Sequence, residues 1–436
     1  MSSAWIVVGL GFGDEGKGSW VDHLVRTHGA QTVVRFNGGV QAHHHVVLPD
    51  GRFHGFRQFG AASFVPEVRT MLSRFMLVEP EMLLKEAAML VELGVKDPLS
   101  RVVVSENAPV ITPFARLLNQ MMEVDRGVAR HGSTGFGIGI TQRDVEVLGA
   151  DALYVRDLRS PALFDKLRRL ALDKMQEAQA FRSPAAQALL ERLEHTDIEH
   201  YVRLFRRLVD RVSVVSETEF RSLLRTGTTV FEGAQGVLLD QQYGFFPHVT
   251  RSTCTFANAE QLLTEAGFRG GMTRVGLLRG YGTRHGAGPF PTEDRSIAIP
   301  PCHNATNMWQ GAFRTGWFDT VSARYALEVV GELDTLAVTN LDRMEALPTI
   351  RIATSYEGTD ARYFANERTM RVLIDEVTTL ADRADVLEQV QPRYELLSGW
   401  DGNRGRMEAY LDRLGELVGR RVDAYSVSNL HHKVYR

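Results

Sequence analysis

The sequence predicts an α/β fold, one large domain around a mostly parallel central sheet, and three observations carry that expectation. Trp5 to Val8 is a short apolar run that stops at Gly9 and gives way to a glycine-rich loop and then the amphipathic stretch Ser19 to Arg26, the order strand, loop, helix. A second run, Thr32 to Phe36, ends in Asn37-Gly38-Gly39, so the opening segment reads as a βαβ unit, and such units imply parallel strands. Later runs repeat the pattern at Arg101 to Ser105, Val212 to Val215, Thr229 to Phe231 and Thr335 to Thr339, each ending near polar or glycine-rich residues. In sheets of this kind, binding sites gather at those strand ends.

Residues 160–210 contain no glycine and are rich in Leu, Ala, Arg, Glu and Lys at helical spacing, which predicts two or three helices packed beside the sheet. The glycine-rich stretches Gly280 to Thr292 and Asn304 to Gly316 read as functional loops, so 280–317 is expected to carry substrate contacts. A last helix, Arg406 to Leu417, precedes Arg421 to Ser426, which reads as a closing strand. No repeat or linker-like tract divides the chain, and 1–436 is expected to form a single domain.

Composition narrows the function classes. The 436 residues are 44% hydrophobic and 24% charged, which excludes a disordered or fibrous chain. Fifty basic against 53 acidic residues leave a net charge of −3, so nothing draws the molecule toward nucleic acid or an anionic membrane. No run approaches the ~18 apolar residues of a membrane span, and Met1-Ser-Ser-Ala-Trp-Ile-Val-Val lacks a basic leader. The two cysteines, Cys254 and Cys302, allow one disulfide at most and no cysteine-based zinc site, which suits a reducing cytoplasm.

The first strand and helix enclose Gly11-Phe-Gly13-Asp14-Glu15-Gly16-Lys17-Gly18. Backbone N–H groups of such a loop and the helix N-terminus can hold phosphate oxygens. The spacing fits G-x-x-x-x-G-K, but Gly18 stands where a standard P-loop has a magnesium-binding Ser or Thr, and Asp14 stands where the dinucleotide fingerprint has its third glycine. A carboxylate beside phosphates is unfavourable unless it meets a cation or does chemistry, so Asp14 is expected to bind Mg²⁺, accept a proton, or both. The plain alternative is a glycine-rich turn with surface charges, in which Lys17 is a solvated lysine.

The loop resembles that of the adenylosuccinate synthetase family, whose members use GTP to phosphorylate O6 of IMP and let the aspartate amine displace the phosphate. The family's G-D-E-G-K-G hallmark stands intact at Gly13 to Gly18, and the likeness continues in order through Val34 to Gly39, Gly132 to Gly139, Phe231 to Gly236, Thr283 to Glu293, Arg314 to Asp319 and Asn340-Leu-Asp342. The resemblance implies that Asp14 is the general base, that His44 stabilises charge on the transferring phosphoryl group, and that Lys17 with Gly13, Glu15, Gly16 and Gly18 holds the GTP phosphates. Asp342 would accept hydrogen bonds from guanine, with Asn340 and Ser426 beside the base. Gln41, Ser133, Thr134, Gln235 and Thr250 would bind the acceptor, although Gln235 could instead cap a turn. Mg²⁺ would meet Asp14 and the carbonyl of His43. The family is homodimeric and cytoplasmic, so a homodimer acting on small molecules is expected.

Departures from the family pattern cluster on substrate positions. Val40-Gln41-Ala42-His43-His44-His45 replaces N-A-G-H-T, Phe136 replaces an arginine, and Leu148 falls where a partner subunit would send an arginine to the acceptor phosphate, with Arg143 nearby as a substitute. Three adjacent histidines do not converge on one ion, because neighbouring side chains point different ways. The family's T-T-G-R-x-R-R-x-G-W reads Met308-Trp309-Gln310-Gly311-Ala312-Phe313-Arg314-Thr315-Gly316-Trp317 here, and of three arginines only Arg314 remains. Losing two charge-assisted partners should weaken aspartate binding by several kcal/mol, on the order of 1–3 each. Trp309, Phe313 and Arg314 are therefore expected to take a less acidic or more hydrophobic amine, unless another arginine such as Arg284 takes over. The expectation is a GTP- and Mg²⁺-dependent ligase with a changed amine, acceptor or both. Ordinary adenylosuccinate formation, a kinase that stops at the phosphorylated intermediate, and a GTP-binding protein without ligase activity are the alternatives.

Overall fold

The run that stops at Gly9 is strand β1 (Ser3–Gly9), and the helix after the glycine loop is α1 (Lys17–His28), which begins at Gly16 and ends at Gly29, both in the left-handed region. The computed structural model describes residues 2–297, 299, 309–374, 377–428 and 434–435. Met308 of the amine loop and Cys302 lie outside the described residues. Strand β2 (Thr32–Arg35) is followed by a hairpin, β3 (His44–Val47) and β4 (Phe53–Phe56), then β5 (Arg69–Leu72), α2 (Pro80–Glu92), β6 (Val102–Ser105), α3 (Pro113–Arg126) and α4 (Ile138–Leu148). The glycine-free segment is three helices, α5 (Leu163–Ala178), α6 (Pro184–Glu194) and α7 (Ile198–Val209), as the helical spacing predicts. Pro at the first turn with a Thr112 or Ser183 cap starts α3 and α6, because the capping oxygen takes a backbone N–H that the helix leaves unpaired.

Strand β7 (Ser213–Val215), α8 (Glu217–Leu223), β8 (Thr228–Gly236), α9 (Ala257–Ala266) and β9 (Gly271–Arg279) lead to a second hairpin, β10 (Gly282–His285) with β11 (Phe313–Gly316). The remainder is β12 (Phe318–Asp319), α10 (Thr320–Val330), β13 (Thr335–Thr339), β14 (Thr349–Glu357), the short pair β15 (Phe364–Asn366) and β16 (Thr369–Met370), α11 (Val377–Gln389), β17 (Gln391–Ser398), α12 (Arg404–Val418), β18 (Ala424–Ser426) and β19 (Val434–Tyr435).

Among the described residues the central sheet has ten strands in the order β19-β18-β13-β9-β1-β8-β2-β5-β6-β7. Every pairing is parallel except β18 with β19. The first two strands are parallel members of one sheet with β8 between them, Phe231 lying beside both Ile6 and Val34. One reading of strand order is corrected. The strand ending at Ser426 does not close the sheet, because β19 adds to its free edge. Chain order does not dictate spatial order once a strand offers two unpaired edges.

Both faces of the sheet are covered, which is why its strands read as nearly continuous apolar runs. Val7 faces a core shared with Trp20, Val21 and the helices of 160–210, while Ile6 and Val8 face the opposite core with residues of α9, α10 and α12. Buried on both sides, the sheet gives rigid strand ends, and the loops that follow β1, β8, β9 and β13 lie at its C-terminal edge. No helix among the described residues is long and apolar enough to cross a membrane.

Candidate active site

The loop between β1 and α1 folds around its own acidic residue. Glu15 Oε1 accepts from Gly13 N–H at 2.7 Å, and Lys17 Nζ, itself buried, donates to Glu15 Oε2 at 3.1 Å and to the Gly13 carbonyl at 2.7 Å. Gly9 and Gly11 leave room for that carboxylate, since a Cβ at either would fall 1.9 or 2.6 Å from its oxygens. Glu15 therefore sits where the sequence expectation put an anion. Gly18 has a different reason. The first turn of α1 packs on the β3 backbone, and a Cβ at position 18 would lie 2.7 Å from the His45 carbonyl oxygen. The Ser or Thr of a standard P-loop does not fit here.

Asp14 is met by a residue the sequence reading did not single out, His285 at the end of β10, with Nε2 3.2 Å from Asp14 Oδ2. Arg279 donates to the Asp14 main-chain carbonyl at 2.9 Å. Burial pushes the Asp14 carboxyl up, but His285, Arg279 and Lys17 outweigh it and hold the group down at about 2. Asp14 Oδ2 is buried and makes no hydrogen bond of good geometry.

His44 is the inward-facing member of the histidine run. Its Nδ1 lies 2.5 Å from Glu232 Oε1, and the other Glu232 oxygen accepts from Ala61 N–H at 2.9 Å. Burial lowers His44 to about 4, against the pull of Glu232, so the ring is neutral near pH 7 and gives its Nδ1 proton to the carboxylate. Glu232 is fully buried next to Arg35, its register partner on β2, and that charge helps keep it ionised. The side chains of His43 and His45 lie together on the other face of the hairpin. The imidazole of His43 shares no cluster with Asp14, and no group of three His, Cys, Asp or Glu side chains among the described residues is disposed to hold a metal.

The end of β8 joins this machinery to a polar recess. Gln235 has φ 58, a left-handed conformation uncommon for a residue with a Cβ. Its side-chain oxygen caps no turn, and it and both amide atoms of Gln41 are buried without partners. The two amides close on Gly38, with Gln235 Oε1 2.7 Å and Gln41 Nε2 3.4 Å from the point where a Cβ would sit. Gly236 packs on the phosphate loop at Gly11 and Gly13. Buried amides without partners are costly unless a ligand satisfies them. Ser133 is already engaged, donating to Asn119 Oδ1 at 2.8 Å and accepting from Gly135 N–H. Thr134 and Thr250 are half-buried in neighbouring loops, which His248 links by a 3.2 Å contact to the His131 carbonyl. Phe136 lies between Arg57 and Arg116, 5.5 and 5.8 Å from its ring. Arg57, which the sequence reading missed, donates to the Val40 carbonyl next to Gln41.

On the other side of the loop, Thr339 Oγ1 at the end of β13 donates to the Glu15 carbonyl, and Asn340 Nδ2 donates to Thr339 Oγ1 at 2.9 Å. Two residues later Asp342 lines a cavity of about 220 Å³ with Glu345, Trp400, Asn403, Met407 and Tyr425. Ser426 is buried beside Tyr425. Burial raises the Asp342 carboxyl, with Arg343 opposing. The pocket offers an acceptor carboxylate in the loop after β13, with β9 between that strand and β1.

The described parts of 280–317 reach the neighbouring loops at two points. Trp309 packs on Gly135, and the Phe313 ring lies 4.8 Å from that of His285. Arg314 is held by Glu293 at 2.8 Å and by the Gly288 carbonyl at 2.7 Å. The two arginines named as substitutes already have partners in this chain. Arg284 is buried and spends its donors on the carbonyls of Ala287, Pro289 and His248, and Arg143 pairs with Glu177 at 2.6 Å. Leu148 packs against its own core.

A parallel α/β sheet with a phosphate-type loop after its first strand and a polar pocket after β13 is the architecture of a nucleotide-dependent enzyme class, and its relatives say which family. The adenylosuccinate synthetase family model matches residues 6–434. The chain is 34% identical over 442 residues to adenylosuccinate synthetase of Desulforudis audaxviator and 31% identical over 445 residues to adenylosuccinate synthetase 2 of Chromobacterium violaceum, in each case covering 98% of this chain and 96% of the relative. Fully ligated adenylosuccinate synthetase of Plasmodium falciparum has the same fold, with a TM-score of 0.77 at 19% identity, covering 99% of this chain and 98% of that one. Succinoaminodeoxyadenylate synthetase (PurZ) of cyanophage S-2L, bound to dGMP and to dATP as an energy donor, aligns with a TM-score of 0.58 at 17% identity, covering 100% and 95%. The chain belongs to the adenylosuccinate synthetase family, and its members are GTP-dependent ligases that form a C–N bond.

Proposed function

We propose that this family member phosphorylates the lactam oxygen of a purine-like acceptor and joins to that carbon an amine less acidic than aspartate. The observation that carries the reading is the fate of the arginines. Arg314 is already neutralised by Glu293, and Arg284 is committed to main-chain carbonyls. A second substrate carboxylate would have to compete with these partners for either guanidinium.

In the first step Asp14 takes the proton from the ring nitrogen beside the carbonyl, the oxygen attacks the γ-phosphorus of GTP, and GDP leaves. In the second the amine adds to that carbon, loses a proton, and expels phosphate. Lys17 and the loop amides would hold the phosphates once they displace the Glu15 carboxylate from Gly13 N–H, one anion exchanged for another. His44, oriented by Glu232, would offer Nε2 to the transferring group. Phosphate charge favours its protonated form and offsets the burial that keeps it neutral. Gln41 and Gln235 suit a purine edge that both donates and accepts, and Arg57 is a candidate for an anionic group on the acceptor. Asp342 would read guanine through its N1 and N2 protons, with Asn340 and Ser426 beside it.

Mg²⁺ fits this donor set, because the buried Asp14 Oδ2 without a good hydrogen bond is a hard oxygen ligand, and the His43 main-chain carbonyl is the second candidate. The bound ion would neutralise charge across the β- and γ-phosphates. Retention of Asp14 and of a buried His44–Glu232 pair speaks against a GTP-binding protein without ligase activity, since binding alone requires neither. The proposed assembly is a homodimer in the cytoplasm, in which Leu148 carries no charge to a partner's site.

The test is GDP release across a matrix of purine nucleotides and amines. Turnover with a monocarboxylic or neutral amine should exceed that with aspartate. Family-typical turnover of IMP with aspartate would sink the changed-amine reading. Asp14→Asn should lower GDP release by roughly 10³-fold while GTP still binds.

A further inference from the structure

We propose that the outer face of the β3–β4 hairpin is a binding site for one divalent transition-metal ion, chelated by His43 and His45. His45 lies in β3 and His43 immediately precedes that strand, two residues away, and their side chains meet on one face. His43 Nδ1 and His45 Nε2 are 3.2 Å apart, with ring centroids separated by 4.5 Å and planes crossed at 71°. Nitrogens each about 2.1 Å from an ion and separated by that distance subtend an angle of roughly 100° at the metal, between octahedral and tetrahedral values. The arrangement thus has the bite of a two-imidazole chelate.

Neighbouring residues hold it in place. Gly55 stands opposite His45 across the hairpin, and a Cβ there would fall 2.0 Å from His43 Nε2, so the missing side chain gives the His43 ring its seat. Phe53 backs the His45 ring at 5.1 Å between centroids. Rings fixed beforehand lose less freedom when an ion joins them. His44 points to the opposite face, where Glu232 engages it, so capture of an ion outside leaves that pair in place. His43 is exposed, which leaves the remaining coordination positions to water.

The donor set selects the ion. Two imidazole nitrogens without a carboxylate favour Cu²⁺, Ni²⁺ or Zn²⁺ over Mg²⁺. The imidazole site uses different atoms from the oxygen donors offered to Mg²⁺, although His43 contributes its ring to one and its main-chain carbonyl to the other, and it does not depend on the substrates proposed above.

The experiment uses the full chain without a histidine tag. Calorimetric titration with Ni²⁺ and Zn²⁺ should show one equivalent bound, undisturbed by millimolar Mg²⁺, and Cu²⁺ electron paramagnetic resonance should show two coupled nitrogens. His43→Ala and His45→Ala should each weaken binding by on the order of a hundredfold, because losing either arm removes the intramolecular second contact. His195→Ala and His200→Ala, on the distant helical subregion, should leave it unchanged. Circular dichroism checks that each variant is folded. Binding that survives either hairpin substitution, or no binding by the intact chain, overturns the proposal.

Discussion

His44 and Glu232 are one unit made from residues far apart in the chain. Replacing Glu232 with Gln keeps the shape but removes the charge that supports a protonated ring, so kcat should fall by about 10²-fold with the KM for GTP little changed. The same imidazole makes stability depend on pH. Its value falls from an ordinary 6.5 to about 4 in the folded protein, because burial disfavours the charged ring. The unfolded chain then binds the extra proton more readily, so this contribution is complete above pH 6.5 and is lost as the pH drops toward 4. The loss is roughly 2–3 kcal/mol, and urea melts at pH 7 and 4.5 on the intact protein and on His44→Asn should differ by that amount. Arg284 is structural by the same kind of reasoning. Arg284→Met would orphan carbonyls of Ala287, Pro289 and His248 and should cost about 3 kcal/mol, read as a lower urea midpoint.

At the scale of elements, the contact between α1 and β3 explains why the phosphate loop departs from the standard pattern. Gly18→Ser places a Cβ 2.7 Å from the His45 carbonyl oxygen, so the hairpin must move. The change should destabilise the fold by about 1–3 kcal/mol and weaken GTP binding rather than restore a magnesium-binding hydroxyl, which thermal melts and nucleotide titration would show. This contact also marks how far the sequence could be read. The loop and the parallel strands were legible because their signals are local, an apolar run, a turn of glycines and a helical period. Asp14 and Lys17 stood out in the loop itself, whereas His44 and Asp342 were singled out only through the resemblance to the family. His285 was passed over inside a motif that was quoted, because its meaning lies in a 3.2 Å approach to a residue in the loop after β1. Glu232 and Arg57 escaped for the same reason, and so did the place of β8, since pairing across such separations leaves no periodic trace. The partners of Arg284 and Arg143 were not legible either, because a sequence counts guanidinium groups and does not say which carbonyls or carboxylates already hold them.

At the scale of the molecule, the loop after β1, the recess at β8 and the pocket after β13 are carried by one sheet, so filling any of them should stabilise the whole. GTP at a hundred times its dissociation constant adds about 2.7 kcal/mol, which for a chain of 436 residues raises the melting temperature by about 3 °C. Scanning calorimetry with GTP and then ATP measures both the shift and the choice of base, and an equal shift for the two would argue against guanine reading by Asp342.

The insertion of β8 between β1 and β2 has a price in time. As the ribosome delivers the chain, β1 waits with both flanks bare until Thr228 to Gly236 and then Gly271 to Arg279 emerge, roughly 10–50 s at ordinary elongation speeds. A nascent chain halted before position 228 should therefore be captured by holdase chaperones far more readily than one released past position 280.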